Sequence, residues 1–339
     1  MKKLSILILF FIISLLLAPN LAAQQKFVPL GDFTLESGST IKDCRIGYRT
    51  FGTMNPEADN VILFPTWFGG TSKHLGNLVG PDKLLDSARY FVIAMDALGN
   101  GVSSSPSNNL HQPQSAFPLF SIRDMVNSQY SSLTQGLGIN HLYAVVGGSM
   151  GGMQVFQWLV SYPDFIDKAL AYVASPWQSG HGRLVWETEL AMIENGLAHE
   201  VPLDIITEQV ALVQVINAYT PEYRNRQTTP AAVTDFRHAY VKRFSSNFRP
   251  YNWASQLRAM MQHDITLSVG DKTESLPEII MAETFIIVSA TDHLVPPGPA
   301  LELADIIGAE THIFSNDCGH LAPGCEMAEF VEIVHNFLH

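Results

Sequence analysis

The chain carries little charge and no concentration of positive charge. Asp, Glu, Lys and Arg make up 15% of its 339 residues, and 20 basic residues stand against 32 acidic ones, for a formal net charge of −12. Proteins that bind nucleic acid or anionic membranes concentrate Lys and Arg on one surface, so both partner classes are disfavoured. The 47% of hydrophobic residues, by contrast, can build a large buried core.

Cysteine is also scarce, with Cys44, Cys318 and Cys325 in the whole chain. Three cysteines are too few for a disulfide scaffold, and a chain of this length can build a core without one. Two interpretations stay open. Either Cys318 and Cys325 form a bridge and Cys44 is left over, or all three are buried free thiols.

No apolar run reaches the roughly 20 residues that a membrane-spanning helix needs. The run Leu4 to Ala18 follows two lysines and precedes small residues around Ala23. This order predicts a secretory signal peptide over residues 1–23, cleaved near Ala23, and therefore a secreted or periplasmic protein. An uncleaved anchor is the alternative. Loss of the two lysines changes the formal net charge from −12 to −14.

Short apolar runs alternate along the chain with segments of helical periodicity. The runs at 61–67, 90–96, 142–148, 169–175, 284–292 and 311–317 are predicted strands, and helical patterns fill 121–138 and 151–163. Continuous rather than alternating apolarity indicates strands that are covered on both faces, as in a parallel sheet. The sequence therefore predicts an α/β fold, a mostly parallel sheet with helices on both faces.

The alternation stops between residues 176 and 264. Four helical patterns lie there, at 183–199, 203–219, 230–244 and 252–264, with no convincing strand. A helical insertion between late strands of an open sheet is most simply a cap over its carboxyl edge, where such folds bind ligands. We therefore predict a core of residues 24–175 and 265–339 and a helical cap of residues 176–264.

The stretch "GGSMGG", residues 147–152, places Ser149 in a G-x-S-x-G pattern between a predicted strand and a predicted helix. Such a turn strains its middle residue and pushes the side chain outward, while the glycines allow strand and helix to approach closely. The pattern predicts a serine nucleophile. The alternative is a turn that packs closely or binds phosphate, but the stretch lacks G-x-G-x-x-G spacing and an acidic ribose partner.

A serine hydroxyl needs a base to take its proton and a carboxylate to orient that base, and in this arrangement both follow the serine along the chain. Asp292 ends a predicted strand, and His320 lies in a Gly-containing loop after the last one. We predict that Ser149, His320 and Asp292 form a catalytic triad. Weaker candidates are Asp271 and Asp317 for the acid and His293, His312, His335 and His339 for the base.

Two backbone N–H groups are predicted to stabilise an oxyanion. Met150 starts the helix after the nucleophile, and Trp67 lies with Phe68 in the loop after an early strand. The alternative role for this loop is an aromatic lining of the substrate pocket. "HNFLH", residues 335–339, lacks the Glu of a zinc helix, and no other zinc spacing occurs, so no metal or redox cofactor is expected.

Taken together, these motifs resemble the homoserine O-acetyltransferase family of α/β-hydrolase-fold acyltransferases. The similarity covers most of the chain after the leader and is strongest in "SIRDMV", "VVGGSMGGMQ", "ATDHLVPP" and "GH". It implies an α/β-hydrolase fold with a helical lid and places nucleophile, acid and base at Ser149, Asp292 and His320. It also implies transfer of an acyl group from acetyl- or succinyl-coenzyme A to the serine and then to an alcohol.

The chain departs from the family near the substrate. Residues 65–69 read "PTWFG" where the family has "HALTG", and "GHLAPG" at 319–324 replaces "GHDAFL". The family's "DPxWxxGxY" segment is not found. These departures bear on homoserine as the acceptor and leave the acyl-serine chemistry unchanged.

We expect an acyl-transfer enzyme with a serine nucleophile that acts on a small ester, thioester or alcohol, with acyl-coenzyme A as an optional co-substrate. The acceptor is an alcohol or, because an exported enzyme meets little acyl-coenzyme A, water. The alternatives are a secreted esterase and a low-turnover binding protein on the same scaffold. The sequence does not distinguish a monomer from a homodimer.

Overall fold

Eight strands form one sheet in the computed structural model, which describes residues 23–270 and 272–339. The strands are β1 Lys26–Thr34, β2 Thr40–Phe51, β3 Val61–Pro65, β4 Phe91–Met95, β5 Leu142–Gly148, β6 Ile166–Tyr172, β7 Glu283–Ser289 and β8 Glu310–Phe314. Their order across the sheet is β1-β2-β4-β3-β5-β6-β7-β8. The predicted α/β fold class is confirmed.

Strands β3 to β8 are parallel, and β2 is antiparallel to both β1 and β4. Each parallel strand lies at a predicted apolar run, with ends shifted by a few residues. Strands β1 and β2 were not predicted. Register shifts between Pro29 and Gly31 and between Gly31 and Phe33 interrupt their pairing, so the alternation of apolar residues is broken there.

The central strands are apolar on both faces because helices cover both. Leu63, Ile93 and Val145 belong to one buried core, and their chain neighbours Phe64, Val92 and Val146 belong to the other. Successive side chains of a strand point to opposite faces, which is why the runs read as continuous apolar sequence.

The helices are α1 Ser72–Leu75, α2 Ile122–Ser131, α3 Met150–Ser161, α4 Gly180–Ala198, α5 Leu203–Ala218, α6 Pro221–Gln227, α7 Val233–Ser245, α8 Pro250–Met261, α9 Leu276–Ile279, α10 Gly298–Ile307, α11 Ala322–Cys325 and α12 Met327–Leu338. Helices α2, α3 and α10 contribute to the first core, and α1 and α12 contribute to the second. At the start of α2, Ser121 Oγ accepts a hydrogen bond from Asp124 N at 3.0 Å, which caps the helix as its sequence suggests.

Within residues 176–264, between β6 and β7, the chain forms helices α4 to α8, of which α6 was not predicted. The two ends of this insertion lie side by side, since Trp177 and Asp264 form a β-bridge and Ile265 N donates to Pro176 O at 3.1 Å. The residues at the predicted cap boundaries, 176 and 264, therefore lie next to each other in the structure. Whether the cap is a unit of its own stays a prediction.

The predicted signal peptide lies outside the described residues apart from Ala23. Within the part of the chain that the structure describes, no helix combines the length and apolarity needed to cross a bilayer.

Candidate active site

Ser149 occupies the turn between β5 and α3 in a backbone conformation that few side chains adopt. Its φ is 55° and its ψ is −127°, and its N–H donates to Tyr172 O at 3.0 Å, which extends the pairing of β5 with β6 by one residue. A positive φ in a residue other than glycine costs energy and persists where the surrounding structure enforces it. The turn leaves Ser149 at the carboxyl edge of the sheet.

The surrounding glycines leave no room for a side chain. A Cβ on Gly147 would lie 2.4 Å from Gly151 O, and one on Gly151 would lie 2.6 Å from Pro65 O. A Cβ on Gly148 would lie 2.1 Å from the Tyr172 ring. The glycines therefore allow strand, helix and neighbouring strand to approach closely enough to hold the Ser149 turn.

The structure brings the three predicted triad residues together. His320 Nε2 lies 3.0 Å from Ser149 Oγ, and His320 Nδ1 lies 2.7 Å from Asp292 Oδ2. The other carboxylate oxygen of Asp292 accepts hydrogen bonds from Leu294 N and Val295 N, both at 2.8 Å. The side chains of His320 and Asp292 are 8% and 1% exposed. A buried carboxylate with this geometry fixes the ring orientation and supports a proton on Nδ1.

The turn that carries His320 is held by a disulfide and by close packing of α5. A disulfide joins Cys318 and Cys325 on either side of the histidine, so the first of the two interpretations of the cysteines is correct, and Cys44 is free and buried. Gly319 has a φ of +65°, and a Cβ there would lie 2.8 Å from Ala218 O at the end of α5. Close packing of α5 against this turn thus requires glycine before the histidine.

The N–H groups of Trp67 and Met150 have no hydrogen-bond acceptor among residues 23–270 and 272–339. Met150 is the first residue of α3, where N–H groups are free and the helix dipole favours negative charge. Gln154, one turn along α3, donates from Nε2 to Thr66 O at 3.0 Å and to Met150 O at 2.9 Å. It thereby ties the loop that precedes Trp67 to the helix that carries Met150.

A second glutamine holds the same loop from the side of the insertion. Gln256 on α8 accepts a hydrogen bond from Gly69 N at 3.0 Å and donates to Leu98 O at 2.9 Å. Neither Gln154 nor Gln256 was predicted from the sequence. Position 154 carries a weak local signal, a glutamine among the mostly apolar residues of α3, whereas the role of Gln256 depends on tertiary contacts alone.

Ser149 and His320 open into a cavity of about 360 Å³. Most of its lining is aromatic or aliphatic. Trp67 and Phe68 belong to the lining, so the loop that carries them occupies the position that the alternative role, an aromatic wall of the substrate pocket, requires. The lining residues are Trp67, Phe68, Leu78, Gly148, Ser149, Tyr172, Val173, Gln214, Leu294, His320, Leu321, Pro323, Gly324, Met327 and Phe330. No Lys, Arg, Asp or Glu lines the cavity in the described part of the chain.

Two buried groups beside the cavity have shifted pKa values. Burial raises the pKa of the Tyr172 hydroxyl, which has no hydrogen-bond partner among the described residues. Burial also raises the pKa of the Glu189 carboxyl on α4 to about 8, against the opposing effect of its hydrogen bond with Gln214. Glu189 is therefore largely protonated at neutral pH, which avoids a buried charge.

The weaker candidates lie elsewhere. Asp317 pairs with Arg226, with Asp317 Oδ1 and Arg226 Nη2 2.8 Å apart, and His312 faces Glu329 at 3.5 Å. His335 Nε2 lies 2.8 Å from Lys83 O, and His339 lies beside Arg89. Asp271 lies outside the described residues. Across residues 23–270 and 272–339, no group of three or more His, Cys, Asp or Glu is placed to hold a metal ion.

A protein-family model for the alpha/beta hydrolase fold matches residues 59–323. The chain belongs to the alpha/beta-hydrolase fold family. This membership agrees with the sheet order, with the strained serine between strand and helix, and with the fold class expected from the sequence.

Individual relatives fall into two groups of enzymes. Ethyl acetate hydrolase of Pseudomonas veronii is 29% identical over 282 residues, which are 79% of this chain and 80% of that protein. Homoserine O-acetyltransferase of Methanosalsum zhilinae is 40% identical over 166 residues, which are 44% of this chain and 33% of that protein. The solved structure of the acetyl esterase MekB is 26% identical, with a TM-score of 0.86 over 94% of this chain and 97% of that chain.

Because its relatives are esterases and homoserine O-acetyltransferases, the protein is an enzyme of the acyltransferase or ester hydrolase type. The resemblance to homoserine O-acetyltransferases is thereby confirmed, and it extends over about a third of the length of that transferase.

Proposed function

We propose that the protein is an exported esterase that hydrolyses small carboxylic esters through an acyl intermediate on Ser149. The lining of the cavity at Ser149 carries this proposal. An apolar cavity with no Lys, Arg, Asp or Glu among its described lining residues suits a small uncharged ester. The ammonium and carboxylate groups of homoserine would lose water there without gaining a charged partner, which costs free energy.

Acylation begins with His320 as the base. Its Nε2 takes the hydroxyl proton while Ser149 Oγ bonds to the carbonyl carbon of the ester. Asp292 stabilises the resulting imidazolium, and the free N–H groups of Met150 and Trp67 donate to the oxyanion. His320 then gives its proton to the alcohol oxygen as the carbon–oxygen bond breaks, which leaves an acyl group on Ser149.

Deacylation repeats these steps with water as the nucleophile. His320 takes a proton from water as the water oxygen bonds to the acyl carbon, and returns it to Ser149 Oγ as the acyl–enzyme bond breaks. The products are a carboxylic acid and the regenerated enzyme. The mechanism needs no metal or redox cofactor.

Two observations support export and water as the acceptor. Residues 1–23 have the order of segments of a signal peptide. The Cys318–Cys325 disulfide is suited to an oxidising compartment, where acyl-coenzyme A is scarce. The ethyl acetate hydrolase, which matches over most of both chains, agrees with this choice.

A second candidate is transfer of the acyl group to an alcohol. The 40% identity with a homoserine O-acetyltransferase over 166 residues favours it. Both candidates share the acyl-Ser149 intermediate and differ in what removes the acyl group.

The test uses the purified protein with ethyl acetate and, separately, with acetyl-coenzyme A and homoserine. We expect acetic acid from ethyl acetate and little O-acetylhomoserine. Intact mass analysis after rapid quenching should show one acetyl group on the protein, and Ser149→Ala should abolish that adduct. The variant should also lose on the order of 10⁴-fold or more in kcat.

Faster acetylation of homoserine than release of acetic acid would replace the esterase proposal by the transferase. Undiminished ester cleavage by Ser149→Ala would exclude both candidates. Circular dichroism and the melting temperature of the variant should match the wild type, which shows that the loss is chemical.

A further inference from the structure

Three fully buried side chains form a hydrogen-bonded network between α2 and α3. Trp158 Nε1 donates to Gln129 Oε1 at 2.9 Å, and Gln129 Nε2 donates to Gln154 Oε1 at 2.6 Å. Gln154 Nε2 in turn donates to Thr66 O at 3.0 Å and to Met150 O at 2.9 Å. The network of Trp158, Gln129 and Gln154 therefore ends on two backbone carbonyl groups beside the nucleophile.

The direction of every hydrogen bond in this network is fixed from both ends. An indole nitrogen only donates, so Trp158 requires the oxygen of the Gln129 amide. A backbone carbonyl only accepts, so Thr66 and Met150 require the nitrogen of the Gln154 amide. Both ends give the same orientation of the two amides. Since no member titrates near neutral pH, this orientation does not change with pH.

The Thr66 carbonyl belongs to the same peptide group as the Trp67 N–H. This peptide group is trans and planar, so its C=O and its N–H point in opposite directions. The hydrogen bond that holds Thr66 O to Gln154 therefore also sets the direction of the Trp67 N–H. The same bond polarises the peptide group, which makes its N–H a stronger donor.

No other side chain of the described residues bonds to this peptide group. Gln256 holds the same loop two residues beyond Trp67, through Gly69 N. Loss of the Gln154 amide would thus leave the loop attached but free the peptide group of Thr66 and Trp67 to rotate.

We propose that Gln154 is a positioning residue that directs the Trp67 N–H towards the oxyanion formed on the substrate. Gln129 and Trp158 fix the direction of its amide. Loss of this amide weakens binding of the tetrahedral oxyanion and leaves binding of the uncharged ester nearly unchanged. The inference rests on the proposed esterase function and adds what holds one of the two oxyanion donors.

The test uses 1,1,1-trifluoroacetone as a reversible probe of the oxyanion. Ser149 Oγ adds to the ketone carbon, the hydroxyl proton passes to His320, and the ketone oxygen becomes an oxyanion without loss of a leaving group. Gln154→Met keeps the length of the side chain and removes the amide. We expect its Ki for the ketone to rise on the order of 30-fold, less than for complete loss of an oxyanion donor.

Hydrolysis of ethyl acetate by the same variant gives a second measurement. The value of kcat should fall by a factor similar to the rise in Ki. KM should change by less than about twofold, because acylation and deacylation both pass through an oxyanion and slow together. Ki and KM do not depend on the folded fraction, whereas kcat does, so a purely structural defect would lower kcat alone.

Gln157→Met is the matched control, because Gln157 is a second buried glutamine on α3. Its Nε2 donates to Ser161 Oγ and Ser268 Oγ, both at 2.9 Å, and not to the loop of Trp67. This variant should keep the wild-type Ki even if it is less stable. If Gln154→Met does not fold, Gln129→Met removes the donor that fixes the Gln154 amide, and Ki should rise by about threefold.

Three results would overturn the inference: an unchanged Ki in Gln154→Met, an unchanged Ki in Gln129→Met, or an equal rise of Ki in Gln157→Met. In each of these cases the wild type still hydrolyses ethyl acetate, so the esterase proposal stands. If the wild type does not hydrolyse ethyl acetate, the proposed function itself has failed.

Discussion

The turns that carry Ser149 and His320 are held in place by opposite means. The Ser149 turn depends on absent side chains, because strand, helix and neighbouring strand meet where Gly147, Gly148 and Gly151 have no Cβ. The His320 turn depends on added links, namely the Asp292 carboxylate and the Cys318–Cys325 disulfide, together with packing of α5. The first turn belongs to the core, and the second is assembled from distant parts of the chain.

Each half of the site is therefore vulnerable to a different kind of change. Adding atoms should disturb the nucleophile, whereas removing links should disturb the base.

The largest effect is expected for the link between Asp292 and His320. Asp292→Asn replaces the acceptor at Nδ1 by an amide and favours the wrong tautomer, so kcat for ethyl acetate should fall on the order of 10⁴-fold. Asp317→Asn is the matched control in the loop that carries His320, because Asp317 pairs with Arg226 and does not contact His320. It should change kcat by less than about threefold, as expected for a solvent-accessible ion pair away from the reacting atoms. Equal losses in both variants would contradict the assignment of the acid.

Much of this site could be predicted from the sequence because it depends on local patterns. The G-x-S-x-G turn, the end of a strand at Asp292 and the loop at His320 are each visible within a few residues, and chain order joins them. In the structure, His320 lies within hydrogen-bond distance of both Ser149 and Asp292.

What could not be predicted depends on contacts between distant segments. Strands β1 and β2 were missed because their irregular pairing breaks the two-residue period. Gln256 meets Gly69 across the fold, and Glu189 meets Gln214 between two helices, without a local signal for either. The cysteine pairing stayed open for a different reason, since the spacing of Cys318 and Cys325 allows both a bridge and free thiols.

For the Ser149 turn, the variant Gly148→Ala adds a single methyl group. That methyl would lie 2.1 Å from the Tyr172 ring, which itself packs against Phe330 with ring centroids 5.0 Å apart. We expect a loss of about 3 kcal/mol in the free energy of unfolding, as for overpacked cores, together with a fall in kcat. Urea unfolding followed by fluorescence measures the first, and ester hydrolysis measures the second.

Gly180→Ala is the control for this methyl group, because a Cβ at Gly180 meets nothing within 4 Å. It should leave stability unchanged or slightly raised, since alanine is the better helix former. A Gly148→Ala protein with wild-type stability and activity would show that close packing does not hold the Ser149 turn.

The insertion that covers the His320 turn should contribute a pH dependence through Glu189. Its pKa is raised from 4.5 to about 8 in the folded protein, so the folded state keeps a proton that the unfolded state loses. The stabilisation is complete below pH 4.5 and is lost as pH rises towards 8. Relative to Glu189→Gln, the wild type should lose about 3 kcal/mol in the free energy of unfolding between pH 5 and pH 8.

Urea unfolding at pH 5, 6.5 and 8 tests this dependence, and the difference between the two proteins cancels the titration of other groups. Glu187→Gln is the control on the same helix, because Glu187 is exposed and pairs with Arg183. Its curve should follow that of the wild type. Parallel curves for wild type and Glu189→Gln would show that the Glu189 carboxyl is not kept protonated by burial.

The smallest effect is expected for the disulfide at the His320 turn. The bridge joins cysteines seven positions apart, so the double variant Cys318→Ser/Cys325→Ser should lose about 2 kcal/mol in the free energy of unfolding, by the loop-entropy relation. Because the freed segment carries His320 and also lines the cavity with Leu321, kcat should fall as well. Dithiothreitol should lower wild-type activity to the level of the double variant and leave the variant unchanged.

Cys44→Ser separates the disulfide from thiol chemistry in general, because Cys44 is buried and free. Its protein should remain sensitive to dithiothreitol, whatever the cost of a hydroxyl in the core. A reduced wild type with full activity would mean that Asp292 and the packing of α5 hold His320 without the bridge. In that case the Ser149 and His320 turns would be held by similar means, since both would depend on packing rather than on a covalent link.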